Sequence, residues 1–167
     1  IVALAVAATT LTLGTAAAQS NVDRLRAEVQ ANPGSVVAWV ALGNALYQGG
    51  QYDDAKTAFL EAIALDYRSG DAHYGLGLSE FARGDFQAAL FEFTEVTRLH
   101  PDRFDGHFNR GVTLARLRRP QEAANAFREA LAQAEPEASN DDRVGAHIAL
   151  AGQLELAGDY AGAAEAY

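Results

Sequence analysis

Residues 36–69 read VVAWVALGNALYQGGQYDDAKTAFLEAIALDYRS, and the small and aromatic residues of this stretch recur further along the chain. The recurring residues stand 34 apart and are Gly43, Gly77 and Gly111, then Ala55, Ala89 and Ala123, and finally Phe59, Phe93 and Phe127. A fixed period of this length is typical of stacked helical repeats, in which each repeat covers the apolar face of its neighbour. We therefore expect an array of repeats rather than one central core.

Each repeat has the pattern of two helices joined by a short turn. In the first repeat, an almost wholly apolar helix is predicted over Val36–Gln48, and Gly49 and Gly50 end it. An amphipathic helix follows over Tyr52–Asp66, with apolar residues at helical spacing. The same pattern predicts further helices over 22–31, 71–82, 86–99, 105–117, 120–134 and 146–157, and from Tyr160 onward.

The period also sets the boundaries of the repeats. We expect a capping helix within 19–35 and repeats over 36–69, 70–103, 104–135 and 144–167, the last one incomplete. Ala163 follows Ala123 by 40 residues, six more than the period, and we place the loop that holds this insertion over 136–143. Because Pro136, Ser139 and two aspartates lie there, we predict a polar loop.

The glycines inside the predicted helices need a physical reason. Gly75 and Gly77 each cost about 1 kcal/mol relative to alanine in a helix. That cost is explained if a neighbouring helix lies too close for a side chain. We expect Phe59, Phe93 and Phe127 to fill the space between repeats, and truncation of any of these rings to cost about 3–5 kcal/mol.

These residues resemble the tetratricopeptide repeat, a 34-residue helix pair with Trp, Leu-Gly, an aromatic residue, Ala, Phe, Ala and Pro at fixed offsets. The matching residues are Trp39, Leu42, Gly43, Ala55, Phe59 and Ala62, then Leu76, Gly77, Ala89, Phe93 and Pro101, then Gly111, Ala123, Phe127 and Ala130, and finally Leu150, Gly158, Tyr160 and Ala163. The departures are His73, His107 and His147 in place of Trp, Arg110 in place of Leu, and Tyr67 and Glu135 in place of Pro. The resemblance covers about 36–167. It implies an all-α fold, a right-handed α-solenoid of antiparallel helix pairs with about 3.5 repeats and an N-terminal capping helix.

In this family, a stripe on the first helix of each pair lines a concave groove that binds peptides, and the resemblance implies the same here. The stripe comprises Val37, Val40, Asn44 and Tyr47, then Asp71, Tyr74, Leu78 and Phe81, and then Asp105, Phe108, Val112 and Ala115. Aromatic and aliphatic groups on such a face suggest a ligand with apolar side chains. The alternative is that they pack on neighbouring first helices. Family members that clamp a terminal carboxylate carry lysine on this stripe. Although Asn44 is present, Val40 stands at the lysine position and argues against a clamp.

The sequence offers no catalytic or metal-binding arrangement. His73, His107 and His147 occupy equivalent positions in successive repeats, but packed helices lie about 10 Å apart. Two imidazoles so placed cannot both reach one zinc ion at about 2.0–2.1 Å. We predict half-buried rings in the place of Trp39. The serines lack a nucleophile elbow, and the glycine pairs end helices instead of forming a phosphate loop. The sequence therefore predicts no enzyme, cofactor or metal.

The net charge of −9, from 22 acidic and 13 basic residues, argues against nonspecific binding to nucleic acid or to an anionic membrane surface. A small basic cluster, Arg116, Arg118 and Arg119, lies at the third turn. It either grips a carboxylate of a partner or is simply solvated. Cysteine is absent, which excludes zinc knuckles, thiol nucleophiles and disulfides from this sequence.

Residues 1–18, IVALAVAATTLTLGTAAA, carry no charge and end in small residues. This pattern is typical of a secretory signal peptide that lacks its basic start and is cleaved after Ala18. The alternatives are an uncleaved membrane anchor or a buried helix of the mature domain. Ile1 opens inside an apolar run and Tyr167 lies inside a predicted helix. We therefore expect a piece of a longer bacterial protein, exported to the periplasm, cell envelope or medium.

These observations predict a protein-interaction scaffold. We expect it to bind a peptide or helix of a partner protein, mainly through Tyr47, Tyr74, Phe81 and Phe108. One alternative is a structural role, as a spacer or a self-assembling array. Another is the non-catalytic region of a larger enzyme. No nucleic acid partner is expected, and no membrane insertion beyond the first segment.

Overall fold

The computed structural model describes residues 19–133 and 139–167, and all regular secondary structure in these residues is helical. The helices are α1 at residues 19–31, α2 (Val36–Gln48), α3 (Tyr52–Leu65), α4 (Gly70–Arg83), α5 (Phe86–Leu99), α6 (Phe104–Arg116), α7 (Pro120–Ala132), α8 (Asn140–Leu156) and α9 (Tyr160–Ala166). The predicted all-α fold is confirmed for this part of the chain. The predicted signal segment, residues 1–18, lies outside it.

Polar side chains fix the starts of several helices. The Ser35 hydroxyl accepts a hydrogen bond from the amide of Ala38 at 3.2 Å, and the Asp85 carboxylate accepts one from Ala88 at 3.1 Å. Asp159 caps α9 in the same way, by accepting from Gly162 at 3.0 Å. Each cap satisfies an amide that has no partner inside its own helix, so these short polar residues determine where the helices begin.

The chain divides into two compact units, with the boundary between Gly75 and Leu76 inside α4. In the first unit α2 packs on α3, and α1 buries Val22, Leu25 and Val29. In the second unit the packed pairs are α5 with α6, α6 with α7, α7 with α8, and α8 with α9. The turns within the helix pairs are two or three residues long, so the chain reverses direction between the two helices of a pair.

Phe59 fills the space between two glycines of the first unit. Its ring is fully buried, and a Cβ atom added to Gly43 in α2 would lie only 2.7–2.8 Å from it. A Cβ atom at Gly75 in α4 would lie closer still to the same ring. The ring therefore occupies the volume that an ordinary side chain at either position requires.

The same contact recurs in the second unit. A Cβ atom at Gly77 would lie 2.9 Å from the Phe93 ring, and one at Gly111 would lie 2.7 Å from the Phe127 ring. The recurrence of glycine and phenylalanine every 34 residues is thus one repeated contact between a bare stretch of helix and an aromatic ring. The predicted reason for the glycines is confirmed.

A second repeated contact joins an aromatic ring nitrogen to a backbone carbonyl. The indole nitrogen of Trp39 donates to the carbonyl of Pro33 at 2.8 Å. The Nε2 atom of His73 lies 2.9 Å from the Tyr67 carbonyl, and that of His107 lies 2.9 Å from the Pro101 carbonyl. A carbonyl only accepts, so each histidine Nε2 carries the proton. Histidine therefore retains the donor that tryptophan supplies in the first repeat.

His73 and His107 are more deeply buried than the sequence indicated, at 2% and 8% exposure. His147, in contrast, is exposed, and the expectation of a half-buried ring is wrong there. The reason is the length of α8. His107 is the fourth residue of α6, whereas His147 is the eighth residue of α8 and lies beyond the reach of the turn that precedes the helix.

The start of α8 also corrects the predicted loop over 136–143. Residues 140–143 are helical, and Ser139 caps them. The Ser139 hydroxyl accepts from the amide of Asp142 at 3.2 Å, and the Asp142 carboxylate accepts from the Ser139 amide at 3.3 Å. The polar residues that indicated a loop form a capping box, which shares the composition of a loop. Residues 134–138 lie outside the described part of the chain.

Arg110 departs from the leucine expected at its position and joins a polar network in the second unit. Its guanidinium donates to the Glu129 carboxylate at 2.6 Å. The same carboxylate oxygen lies 3.2 Å from Nδ1 of His107. Arg110 is partly buried, and this pairing supplies the partner that a guanidinium needs when it is removed from water.

The glycine contact predicts opposite effects for two Gly→Ala substitutions. Gly75→Ala is expected to lower the free energy of unfolding by about 1–3 kcal/mol, because overpacking against Phe59 outweighs the better helix propensity of alanine. Gly152→Ala in α8 is the matched control. Apart from the adjacent residues and backbone of α8 itself, no atom of the described residues lies within 4 Å of its Cβ position, so alanine is expected to add up to about 1 kcal/mol. Urea denaturation followed by circular dichroism measures both, and stabilisation by Gly75→Ala would contradict the account.

The ring–carbonyl hydrogen bond predicts that His73→Phe lowers the free energy of unfolding by about 1 kcal/mol or more, because the Tyr67 carbonyl loses its donor. His147→Phe changes an exposed ring and is expected to stay within about 0.5 kcal/mol of the parent. Thermal and urea melts of the two variants compare them directly. Equal effects at the two positions would show that the hydrogen bond contributes nothing.

Candidate functional site

The stripe predicted on α2 is accessible in the first unit. Val37 is 80% exposed and Asn44 is exposed, whereas Val40 and Tyr47 are half-buried. The buried side of the same helix is formed by Ala38, Leu42, Gly43 and Leu46. The stripe is therefore a second, largely apolar surface of α2, distinct from the residues that bury the helix against its neighbours.

Tyr47 packs against an aromatic residue that lies outside the predicted stripe. Its ring centroid lies 5.4 Å from that of Tyr52, the first residue of α3. Burial, followed by the proximity of Tyr52, raises the pKa of the Tyr47 phenol above its ordinary value, so the hydroxyl stays neutral and can donate a hydrogen bond.

The second unit repeats this contact between Phe81 and Phe86, whose centroids lie 5.1 Å apart. We call these two contacts, Tyr47 with Tyr52 and Phe81 with Phe86, the aromatic turn pairs. Each links the end of a first helix to the start of its partner across the short turn. The spacing of five residues, repeated after 34, is the sequence signal that identifies them.

On α4, Tyr74 is half-buried in the first unit, and Leu78 and Phe81 are half-buried in the second. The guanidinium carbon of Arg116 lies 5.6 Å from the centre of the Phe81 ring, within the range of a cation–π contact. Phe81 thus has two partners within the second unit, Phe86 and Arg116, and keeps part of its surface accessible.

The stripe on α6 is more closely tied to the core of the second unit. Phe108 and Val112 are half-buried and pack against the core cluster that contains Phe127. The Phe108 ring lies 5.7 Å from Phe104 and 5.5 Å from Phe127, centre to centre. Packing therefore accounts for much of the surface of Phe108 and Val112, and their contact with a ligand stays a prediction.

The polar residues of the stripe differ from each other. Asp71 is exposed, while Asp105 accepts two hydrogen bonds from Arg103, the shorter at 2.7 Å. In residues 19–133 and 139–167, no three histidine or acidic side chains lie close enough together to hold a metal ion. Within the same ranges, every helix is too short or too polar to span a lipid bilayer.

Two family models match this chain, and both describe the tetratricopeptide repeat. One matches residues 40–93 and the other residues 104–136. These ranges contain the contacts of Phe59 with Gly43 and Gly75, of Phe93 with Gly77, and of Phe127 with Gly111. Together they span just over half of the 167 residues.

A curated relative and several solved structures are similar to this chain. The DnaJ homolog subfamily C member 7 homolog of Schizosaccharomyces pombe is 31% identical over 117 residues, which cover 60% of this chain and 25% of the relative. The chain thus spans about a quarter of the length of the curated relative that it matches. MamA from Desulfovibrio magneticus RS-1 has a TM-score of 0.78 at 18% identity, over 98% of this chain and 89% of that one.

Another similar structure is the type III secretion chaperone SycD of Yersinia enterocolitica, solved in complex with a peptide of the translocator YopD. Its TM-score is 0.66 at 19% identity, over 69% of this chain and 88% of that one. At these identities, the two solved structures establish the fold alone, which is the α-solenoid of tetratricopeptide repeats. With both family models matched and this fold in common, the chain belongs to the tetratricopeptide repeat family.

Proposed function

We propose that this chain is a protein-interaction scaffold that binds a peptide segment of a partner through the stripe on the first helices of its repeats. The observation that carries the proposal is the apolar stripe of α2. Val37 is 80% exposed although the packed side of the helix is complete without it. An apolar surface that the fold does not require is typical of a binding surface.

The similarity to SycD supports the same class of function. That protein is bound to a peptide, so helices of this fold provide a surface on which a peptide can lie. This similarity supports only the class of ligand, a peptide, because the fold is what this chain and SycD share.

The stripe residues suggest how a peptide is held. In the first unit, Val37, Val40 and Tyr47 offer apolar surface, and the exposed Asn44 amide can both donate to and accept from a peptide backbone. On α4, Tyr74 and Leu78 offer similar surface. The ligand expected is therefore a segment with apolar side chains at spaced positions and an accessible backbone. Phe108 and Val112 are expected to contribute least, since the core covers them.

The structural alternative, a self-assembling array, has one observation in its favour. The helices α8 and α9, with the residue that follows α9, expose large apolar side chains, namely Val144, Ile148, Leu156, Tyr160 and Tyr167. Self-association through these residues increases with protein concentration. Binding to a foreign peptide, in contrast, does not require self-association. Sedimentation velocity over a range of concentrations separates the two, and a monomer at all concentrations would exclude the array.

The apolar first segment supports a further proposal, that the protein is exported. Residues 1–18 carry no charge and end in three alanines before Gln19. When the protein is expressed in a bacterium with its native leader, we expect the mature product in the periplasm to begin at Gln19. N-terminal sequencing and intact mass measure this. An uncleaved product in the membrane fraction would indicate an anchor, and one in the cytoplasm would contradict export.

The stripe predicts that Val37→Glu weakens binding of peptides selected from a random library on the parent protein. The expected loss is about fivefold or more, because a carboxylate replaces an apolar contact, while stability is unchanged at this exposed position. Leu60→Glu is the matched control, since Leu60 is 45% exposed and lies on α3, which carries no residue of the stripe. Fluorescence anisotropy gives the affinities. A loss with Leu60→Glu but none with Val37→Glu would exclude the α2 stripe.

A further inference from the structure

The turn between α6 and α7 differs from the other turns within helix pairs at one backbone position. Three of these turns place a glycine at positive φ, namely Gly50 at 73°, Gly84 at 84° and Gly158 at 83°. The turn after α6 places Arg118 there, at 57°. Glycine adopts this conformation without the steric cost that a Cβ atom brings. What the arginine adds to the turn is a guanidinium group.

The same turn lacks an aromatic turn pair. Ala115 and Pro120 stand where the earlier repeats have Tyr47 with Tyr52 and Phe81 with Phe86. These two residues, which carry no aromatic ring at this turn, border a surface cavity of about 410 Å³. The cavity is lined by Ala115, Arg116, Arg118, Pro120, Gln153 and Leu156. It belongs entirely to the second unit, shares Ala115 with the stripe on α6 and includes no residue of the stripe on α2.

The charges around the cavity favour an anion. Arg119 does not contribute, because its guanidinium donates to both carboxylate oxygens of Glu122, at 2.7 and 2.6 Å. Arg116 is held over Phe81, and the guanidinium group of Arg118 has no hydrogen bond or ion pair to any residue in the described ranges. Glu155 lies close enough to Tyr167 to raise the pKa of that phenol. The start of α7 also has no side-chain cap, and negative charge is favoured at such a helix end.

The other walls of the cavity are apolar. Ala115, Pro120 and the exposed Leu156 supply its apolar lining, and the Gln153 amide offers one donor and one acceptor group. An inorganic anion would use the arginines only and leave this apolar surface in water. A ligand that carries both a carboxylate and a ring uses the whole cavity.

We propose that this cavity binds a carboxylate together with an adjacent aromatic side chain, both presented by a peptide segment of a partner protein. Arg118 and Arg116 pair with the carboxylate, since guanidinium matches its geometry. The aromatic ring occupies the space of the missing turn pair, and Gln153 hydrogen-bonds to the peptide backbone. The carboxylate is supplied either by a C-terminal aromatic residue or by an aspartate or glutamate next to an aromatic residue.

The test is a titration of this chain, labelled with nitrogen-15, with three short peptides. The first is N-acetyl-Gly-Gly-Phe with a free carboxylate, the second is its C-terminal amide, and the third is N-acetyl-Gly-Asp-Phe-Gly-amide. Saturable shifts of the amides of 115–119 and 153–156 are expected with the first or the third peptide, and the affinity is expected to fall with added salt. Binding of the first alone identifies a terminal carboxylate, and binding of the third identifies a side-chain carboxylate.

Two variants and one control complete the design. Arg118→Gly removes the guanidinium while giving the turn the residue that its backbone favours, so the melting temperature is expected to be unchanged or higher. Its affinity for the binding peptide is expected to fall about tenfold, as for the loss of a charged hydrogen bond. Ala115→Phe restores one ring of the missing pair and is expected to block the cavity. Arg128→Gln on α7 removes the same charge outside the cavity and is expected to bind like the parent.

The proposal is overturned if none of the three peptides binds, if the C-terminal amide binds as well as the free acid and the aspartate peptide, or if Arg118→Gly retains the parent affinity. Val37→Glu separates this site from the stripe, since that variant is expected to leave the titrations unchanged. If the three peptides do not bind to the cavity, the proposal for the stripe is unaffected. If Val37→Glu weakens binding at the stripe, the proposal for the cavity is unaffected.

Discussion

The contact between a phenylalanine ring and a glycine that lacks a Cβ atom determines how the helices of this protein approach each other. Within the first unit, Phe59 rests on the bare backbone at Gly43 and Gly75. A glycine weakens a helix, and a large ring between helices demands space, so neither residue is favourable without the other. Together, the glycines and the ring let two helices lie close to the same side chain. Because this contact fixes the helices, it also fixes the position of the helix faces that point away from the ring.

Much of this fold could be predicted from the sequence because its signals are periodic and local. The helices α2 and α5 begin and end at the predicted residues, since Ser35 and Asp85 cap them and short turns interrupt the apolar pattern. The start of α8 could not be predicted in the same way. A serine followed by asparagine and aspartates is common both in loops and at helix starts, and only the reciprocal hydrogen bonds of Ser139 and Asp142 distinguish the two.

Less of the candidate site than of the fold could be predicted from the sequence, because the site depends on three-dimensional geometry. The stripe follows helical spacing, so its members were found, but spacing does not tell how much of Phe108 the core covers. The aromatic turn pairs join residues five apart across a turn, a spacing that helix periodicity ignores. The importance of Arg118 depends on its positive φ angle, which composition does not reveal. In the sequence it is one of three arginines at a turn.

The ring nitrogens of Trp39, His73 and His107 show what defines their shared position. Each lies within hydrogen-bonding distance of the carbonyl six residues earlier, although an indole and an imidazole differ in size, polarity and titration. The position is thus defined by a proton in a fixed place, and the hydrophobicity of the ring is secondary. A substitution table ranks tryptophan to histidine as a drastic exchange, yet within this geometry it is conservative. A phenylalanine, which such tables treat as the milder change, is the replacement that breaks the motif.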